Sequence, residues 1–128
     1  MPKAMVVDDS RAIRMILAKT LSSLGFDVSQ AANGKEALSK LPTLMEEPDA
    51  PLQLVLVDWN MPEMNGLEFV QQVRSQSDYE SVKLMMVTTE TQIEQMSRAL
   101  HAGADEYVMK PFTEEVISDK LRLLGIVE

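Results

Sequence analysis

Short apolar runs alternate along the chain with segments in which apolar residues recur every three or four positions. The runs suited to buried strands are KAMVVD, FDVSQAA, QLVLVD, VKLMMVTT and EYVMK, which begin at Lys3, Phe26, Gln53, Val82 and Glu106. Such alternation predicts a parallel sheet covered by helices on both faces. Because crossovers between parallel strands are right-handed, the pattern predicts an α/β domain with a doubly wound sheet.

Cap residues predict where several helices begin and end. Ser10 is a predicted N-cap of the first helix, Gly25 its stop, and Thr113 the N-cap of the last helix. Two further helices are predicted over about 66–75 and 92–102. The apolar stripes of the first and last helices consist of Ile13, Ile16, Leu17, Thr20, Leu21 and Leu24, and of Val116, Ile117, Leu121 and Leu124.

Another helix is predicted after Asn33, because Glu36 follows at the spacing of a capping box. It is expected to run to about Met45. Residues 46–51, EEPDAP, combine two prolines with three acids and predict a surface loop within a domain. With no internal repeat in the sequence, we expect a single domain over residues 1–128.

Composition narrows the possible classes of protein. The chain has 128 residues, 45% apolar and 25% charged, which is ordinary for a globular domain. It has no cysteine, which excludes disulfides and thiolate metal sites. A net charge of −8 argues against nucleic-acid binding, which needs clustered Lys and Arg. No apolar run approaches the ~18 residues of a membrane span, so we expect no membrane insertion. The N-terminal apolar stretch is too short for a signal peptide, and the absence of cysteine is compatible with the cytoplasm, so we expect a cytoplasmic protein.

Reactive side chains stand where four of the predicted strands end. Asp8 and Asp9 follow the first strand, Asp58 ends the third, Thr88 ends the fourth, and Lys110 ends the fifth. In open α/β sheets, ligands bind outside the carboxyl ends of the strands. Each residue alone has an ordinary explanation as a cap or strand residue. Their joint placement predicts three carboxylates, a hydroxyl and an ammonium at one rim.

Three carboxylates that lie close together repel each other by about 4 kcal/mol per pair at ~4 Å. The cluster must therefore protonate, pair with Lys110 or bind a cation. Donors that are all oxygen suit a hard ion, and an ion shared with a phosphate is typically Mg²⁺. A carboxylate beside such an ion and a lysine is also a potential nucleophile towards phosphorus.

Four motifs together resemble the receiver domain of bacterial two-component response regulators. They are VVDDS, DWNMPEMNG, MVTTE and AGADEYVMKPF, beginning at Val6, Asp58, Met86 and Ala102. The likeness covers essentially the whole chain and is closest to the single-domain chemotaxis regulators of the CheY type. It implies a flavodoxin-like, five-stranded sheet with strand order 2-1-3-4-5, an order known for this family.

The resemblance also implies roles for the residues at the rim. Asp58 would be the phosphoacceptor. Mg²⁺ would be held by the carboxylates of Asp9 and Asp58, by the backbone carbonyl of Asn60 and, through a water, by Asp8. Lys110 would pair with Asp58 and later with the phosphoryl oxygens.

A conformational switch is implied by the same resemblance. Thr88 would move to hydrogen-bond the phosphoryl group, and Tyr107 would turn inwards as Thr88 vacates space. The output surface would lie on the fourth helix, fifth strand and fifth helix. Its candidate residues are Ile93, Met96, Tyr107 and Val108, of which Met96 and Val108 could equally belong to the core.

Two positions tune the lifetime of the phosphoryl group in this family, and here they are Asn60 and Glu90. Both match the CheY pattern, which implies rapid hydrolysis. The chain departs from the pattern at Thr89, where many receivers carry Ala or Gly, and this side chain could crowd access to Asp58. The Lys110–Pro111 peptide bond is expected to be cis.

The implied function is that of a stand-alone regulator which accepts a phosphoryl group from a sensor histidine kinase. No DNA-binding or enzymatic module follows the last helix in this sequence, so we expect it to act through another protein, such as a flagellar motor switch protein. It would catalyse only its own phosphorylation and dephosphorylation. Chemotaxis or motility is the expected pathway, and a phosphorelay shuttle or other single-domain regulator is the alternative.

Three other functions deserve comparison. A phosphohydrolase of the haloacid dehalogenase type needs a D-x-D-x-T pattern, whereas Asp58 is followed by Trp and Asn. A flavodoxin-like cofactor binder needs an anion cradle after the first strand, where Asp8 and Asp9 would repel a phosphate. A receiver-shaped module that binds partners without phosphorylation would not need the full set of reactive residues.

Overall fold

The protein is described by a computed structural model that covers residues 2–61, 63–88 and 93–127, with residue 93 described by its backbone alone. Five strands form one parallel sheet in the order β2-β1-β3-β4-β5, which confirms the predicted doubly wound α/β topology. The strands are β1 (Lys3–Val7), β2 (Asp27–Ala31), β3 (Leu52–Asp58), β4 (Lys83–Thr88) and β5 (Glu106–Met109). The helices are α1 (Arg11–Ser23), α2 (Gly34–Leu44), α3 (Gly66–Arg74), α4 (Ile93–Ala102) and α5 (Glu114–Leu123).

The central strands are apolar on both faces because helices cover both faces of the sheet. One core lies between the sheet and helices α2, α3 and α4; its strand residues include Met5, Val7, Val55, Val57 and Met86. The other lies between the sheet and helices α1 and α5; its strand residues include Ala4, Val6, Leu54, Leu56 and Val87. A short 3-10 helix at Ser77–Tyr79 was not predicted.

Parallel pairing brings the strand ends to one edge of the sheet. Val7 at the end of β1 pairs with Val57 of β3, and Asp58 pairs with Val87 of β4. Thr88 in turn pairs with Met109 at the end of β5. The residues that follow β1, β3, β4 and β5 therefore emerge side by side.

Several predicted helix boundaries are confirmed. The Ser10 side chain accepts a hydrogen bond from the Ile13 N–H, and the Thr113 side chain accepts one from the Val116 N–H. Gly25, with φ of 98°, follows the end of α1 in the left-handed conformation that favours glycine. The helix stops because this residue turns the chain back towards β2.

The predicted apolar stripes were partly wrong. Ile16 is 52% exposed and Val116 is 41% exposed. The sheet buries only the side of each helix that faces it, which carries Leu17 and Leu21 in α1, and Ile117 and Leu121 in α5. Apolar residues one position away from that side remain at the surface.

The helix after Asn33 begins as predicted, but its capping differs from a full capping box. The Asn33 side chain accepts the Glu36 N–H at 2.8 Å, whereas Glu36 accepts the N–H of Ala32 instead of that of Asn33. A complete capping box joins Asn65 and Glu68 at the start of α3. None of the described helices is long and apolar enough to cross a membrane.

Candidate functional site

Three carboxylates meet at the carboxyl edge of the sheet. One oxygen each from Asp8, Asp9 and Asp58 lie within 4.8 Å of one another. We call these three residues the acidic pocket. Asp8 and Asp58 are buried, with 1% and 6% of their surface exposed, whereas Asp9 is exposed to solvent.

The turn after β1 holds Asp8 in a defined orientation. Its N–H donates to the carbonyl of Ala31 at 3.2 Å, and its Oδ1 accepts the N–H of Ser10 at 2.8 Å. The second oxygen, Oδ2, is buried and has no hydrogen-bond partner in the described residues. One oxygen of Asp8 therefore stabilises the turn by accepting a hydrogen bond, and the other faces the acidic pocket.

The segment after β3 is held against β4 and against the start of α3. The Trp59 N–H donates to Val87 O at 3.2 Å, and the Gly66 N–H donates to Trp59 O at 2.9 Å. A Cβ on Gly66 would lie 3.0 Å from the Asp58 carbonyl oxygen and 3.1 Å from Trp59 Cα. Glycine therefore allows α3 to begin directly against the backbone that carries Asp58.

Lys110 brings a positive charge to the acidic pocket. Its Nζ lies 3.2 Å from Asp58 Oδ1 and 3.7 Å from Asp8 Oδ2. Its N–H donates to the carbonyl of Thr88 at 2.6 Å, which ties the end of β5 to the end of β4. The Lys110–Pro111 peptide bond is cis.

Burial governs the protonation of the two inner carboxyls. Loss of solvent raises the pKa of Asp58, the charge of Asp8 raises it further, and Lys110 opposes both effects. Burial likewise raises the pKa of Asp8, against the hydrogen bond from Ser10 and the charge of Lys110. One ammonium therefore only partly offsets the cost of keeping both carboxylates charged.

The donors of the acidic pocket suit a hard divalent cation. All three are carboxylate oxygens, and Asp8 Oδ2 is a buried acceptor without a hydrogen bond. With three negative charges against one nearby ammonium, the pocket retains an excess of negative charge that a cation could neutralise. Asn60, two residues after Asp58 in the sequence, is exposed.

Two other predicted functional residues lie on one face of the sheet. Thr88 is fully buried at the end of β4. Tyr107 of β5 is half-buried and pairs with Met86 of β4. It packs against the core under α2, α3 and α4. The Nζ of Lys120 lies 4.9 Å from the centre of the Tyr107 ring. Glu90 and Thr89, the remaining predicted residues near the site, lie outside the described residues.

The structure decides which candidate residues of the output surface belong to the core. Met96 and Val108 are buried in the two cores and cannot contact a partner in this conformation. The side chain of Ile93 lies outside the described residues. Among the described residues, the large exposed apolar side chains on α4, β5 and α5 are Leu100, Met109, Val116 and Leu123. The sequence left Met96 and Val108 open between core and surface, since an apolar residue type does not say which side of its element is covered.

One contact of the site was missed from the sequence. The Nη1 of Arg14 donates to the backbone carbonyl of Asp8 at 2.8 Å. No sequence signal marks such a contact, because every residue offers the same carbonyl group. The Asn65 and Glu68 capping box, in contrast, has a readable spacing.

Comparison with known proteins shows extensive similarity. The model of the response regulator receiver domain matches residues 4–122. The chain is 43% identical over 123 residues to chemotaxis protein CheY1 of Helicobacter pylori, covering 95% of each protein. It is 45% identical over 120 residues to the chemotaxis protein CheY homolog of Campylobacter jejuni, covering 93% of this chain and 88% of the relative. Among solved structures, chemotaxis response regulator CheY4 of Vibrio cholerae has a TM-score of 0.86 at 37% identity, covering 97% of this chain and 98% of that one.

Proposed function

Because the chain belongs to the response regulator receiver domain family, we propose that it is a single-domain, phosphorylation-dependent regulator of chemotaxis or motility. Members of this family are signalling proteins and not conventional enzymes. The observation that carries the proposal is the placement of Asp58, which is buried at the carboxyl end of β3, close to two further carboxylates and 3.2 Å from the Lys110 ammonium. We place the protein in the cytoplasm, where a sensor kinase presents its phosphoryl group.

The acidic pocket is proposed to bind Mg²⁺. The carboxylates of Asp9 and Asp58, the backbone carbonyl of Asn60 and, through a water, Asp8 would hold it. When bound, the ion supplies positive charge that stabilises the phosphoryl oxygens during transfer. The raised pKa values of Asp8 and Asp58 show the cost of ionising the pocket without such a charge.

Asp58 is the proposed nucleophile. A carboxylate oxygen of Asp58 attacks the phosphorus of a phosphohistidine, an O–P bond forms, and the N–P bond breaks. The electron pair of that bond returns to the imidazole of the kinase. Lys110 then pairs with the phosphoryl oxygens in place of the Asp58 carboxylate. Asn60 and Glu90 are proposed to set the rate at which water removes the group.

An apolar groove beside the acidic pocket is proposed as part of the surface that contacts the phosphodonor protein. It has a volume of about 420 Å³ and is lined by Ile13, Ile16, Lys110, Pro111 and Phe112. A phosphohistidine must reach Asp58, so its carrier has to cover the surface next to Lys110. The exposure of Ile16, unexplained by the core, is consistent with a surface that a sensor histidine kinase covers during transfer.

The switch is proposed to run from Thr88 to Tyr107. Phosphorylation adds about −1.5 to −2 charges at Asp58, and these attract the Thr88 hydroxyl. Tyr107 then turns inwards and changes the surface formed by α4, β5 and α5. A flagellar motor switch protein is the proposed partner, in contact with Tyr107, Met109 and Val116.

The first experiment measures the intact mass of the protein after incubation with Mg²⁺ and acetyl phosphate. We expect one phosphoryl adduct on the native chain and none on Asp58→Asn or in the presence of a chelator. Beryllofluoride provides a second test, because its complex does not depend on the rate of hydrolysis. If the native protein formed neither the adduct nor the beryllofluoride complex, it would not be a phosphorylation switch.

The output proposal is tested separately with a purified flagellar motor switch protein from the same host. Beryllofluoride is expected to tighten its binding at least tenfold, a shift of about 1.4 kcal/mol. Tyr107→Ala should lose this gain while still accepting the phosphoryl group. Binding that does not respond to beryllofluoride would contradict the chemotaxis assignment and favour the phosphorelay alternative.

A further inference from the structure

Arg14 lies beside the acidic pocket without any role in the scheme above. Its side chain is half-buried on the first turn of α1. We propose that Arg14 is a positioning residue, which fixes the turn that carries Asp8 and Asp9 and so sets the affinity of the acidic pocket for a divalent cation. This inference rests on the proposed function and names a residue that the scheme of phosphoryl transfer does not include.

Arg14 reaches this turn because of its place in the helix. Side chains of an α-helix lean towards its N-terminus and cover the preceding turn. Arg14 is the fourth residue of α1, and its N–H donates to Ser10 O at 3.0 Å to close the first helical turn. Its guanidinium therefore lies back over the segment between β1 and α1. The Nε of Arg14 also donates to Gln30 Oε1 at 3.3 Å, which orients the group from the neighbouring strand β2.

The Arg14 side chain provides a hydrogen-bond donor for the backbone carbonyl of Asp8, which lies beyond the paired residues of the sheet. The pairing of β1 with β2 and β3 ends at Val7, one residue before Asp8. Arg14 Nη1 donates to the Asp8 carbonyl at 2.8 Å and so supplies a donor just beyond the last paired residue.

Asp8 is consequently held by three hydrogen bonds. Its N–H donates to Ala31, its carbonyl accepts from Arg14, and its Oδ1 accepts from the N–H of Ser10. These contacts leave Oδ2 as the oxygen that faces Lys110 Nζ, at 3.7 Å. Loss of the Arg14 contact would let the backbone of the turn move, and the carboxylates of Asp8 and Asp9 would no longer be held in one orientation.

The effect of Arg14 is expected to come from geometry more than from charge. Its guanidinium binds the backbone of Asp8, whereas Lys110 is the cation that faces the carboxylate. The charge of Arg14 also acts on Glu36. The N–H of Ala32 is the main cause of the lowered pKa of Glu36, and Lys40 and Arg14 lower it further.

The test compares Arg14→Ala and Arg14→Lys with Arg11→Ala, a matched control that removes the same charge from an exposed position of the same helix. Mg²⁺ is titrated and followed through Trp59, the only tryptophan, which stands next to Asp58. Loss of a residue that orients a metal ligand typically weakens binding by about 10- to 100-fold. We expect a loss of about tenfold for Arg14→Ala, a smaller loss for Arg14→Lys, and a change under about twofold for Arg11→Ala.

Phosphorylation by acetyl phosphate provides a second measurement. At subsaturating Mg²⁺ the rate for Arg14→Ala should fall in proportion to its occupancy by the ion. At saturating Mg²⁺ it should recover to within about threefold of the native rate, because the reacting groups are intact. Amide chemical shifts of Asp9 and Ser10 should change in Arg14→Ala and not in Arg11→Ala, even without Mg²⁺.

A further variant covers the case in which Arg14→Ala does not fold. Gln30→Ala keeps the arginine but removes the acceptor that orients its Nε, and should weaken Mg²⁺ binding by about threefold. If Arg14→Ala folds and binds Mg²⁺ with native affinity, the inference is overturned. If Arg14→Ala does not fold, native affinity in Gln30→Ala overturns it. Either result would leave the proposed function intact. If the native protein and Arg11→Ala also failed to bind Mg²⁺ and to form the adduct, the proposed function would fail, and this inference with it.

Discussion

At the scale of single residues, the buried carboxylates of the acidic pocket, which the proposed function requires, lower the stability of the folded protein. Asp8 and Asp58 are buried next to each other, and among the described residues Lys110 is the cation that lies within 4 Å of their carboxylate oxygens. Their pKa values are raised, so the folded protein binds more protons than the unfolded chain above the ordinary carboxyl value of 3.8. The free energy of unfolding therefore falls as the pH rises through the raised values.

This relation predicts that Asp58→Asn is more stable than the native protein at neutral pH. Without Mg²⁺, we expect a gain of about 1–2 kcal/mol at pH 7, since part of the carboxylate repulsion disappears while Lys110 still pairs with Asp8. The gain should shrink as the pH falls towards the ordinary carboxyl pKa. Urea unfolding between pH 4 and 7 measures it. Asp49→Asn, which removes an exposed loop carboxylate, is the control and should show no comparable gain.

Mg²⁺ should reverse the instability of the native pocket. An ion that binds only the folded state at ten times its Kd adds about 1.4 kcal/mol to the free energy of unfolding. We expect this gain for the native protein and its loss in Asp9→Asn, which retains the buried residues and removes a proposed ligand. Thermal unfolding with and without Mg²⁺ gives the comparison. An equal shift in both proteins would mean that the ion binds elsewhere.

At the scale of elements, the start of α3 determines where β3 presents Asp58. Both α2 and α3 begin with a buried glycine, Gly34 and Gly66, but the surroundings of the two differ. The three atoms nearest to a Cβ on Gly34 would all belong to the side chain of Met64, with Sδ at 2.8 Å. A Cβ on Gly66 would lie 2.5 Å from Met86 Cε and 3.0 Å from the backbone oxygen of Asp58.

The two glycines therefore form a matched pair of substitutions. Gly66→Ala should lower the free energy of unfolding by about 1–3 kcal/mol, because backbone cannot give way as a side chain can. Gly34→Ala should change it by less than about 1 kcal/mol, since Met64 can move and alanine favours the helix. Gly66→Ala should also slow phosphorylation by acetyl phosphate. Equal effects of the two changes would contradict the proposed role of the close approach.

At the scale of the whole molecule, Arg74 joins elements at the edge opposite the acidic pocket. Its guanidinium donates to the carbonyls of Gly103 and Tyr79, each at 2.9 Å, and to the carbonyl of Val82 at 2.7 Å. It also donates to Asp105 Oδ2 at 2.9 Å. Asp105 Oδ2 also accepts the Leu84 N–H at 2.9 Å. One side chain thus ties the end of α3 to the start of β4 and to the turn after α4.

Arg74→Ala is predicted to be strongly destabilising, by about 3 kcal/mol, because it leaves several partly buried acceptors without their donor. Urea unfolding followed through Trp59 measures the change. Arg122→Ala is the matched control, since Arg122 pairs with Asp119 at the surface and such pairs contribute at most about 1 kcal/mol. A similar small loss in both variants would show that the Arg74 contacts do not hold these elements together.

The reliability of sequence-based prediction differed between kinds of residue. Ser10 and Thr113 were identified as caps because their side chains bond to a backbone N–H within the same short segment. Arg14 and Arg74 were missed because their acceptors are mostly backbone carbonyls, which every residue carries. Ile16 was wrongly placed in a buried stripe, and Met96 was left open between core and surface, because hydrophobicity alone does not show which neighbours cover a side chain.

The sequence by itself determined the alternation of strands and helices, and hence the edge at which Asp8, Asp9, Asp58, Thr88 and Lys110 emerge. Periodicity and crossover handedness are properties of the local chain, so the order of residues is enough to predict them. Only the tertiary structure decided the distances within the acidic pocket, the direction in which burial shifts its pKa values, and the contacts that hold its turns. Those quantities depend on packing between segments far apart in sequence, where the nature of one residue does not specify its neighbour.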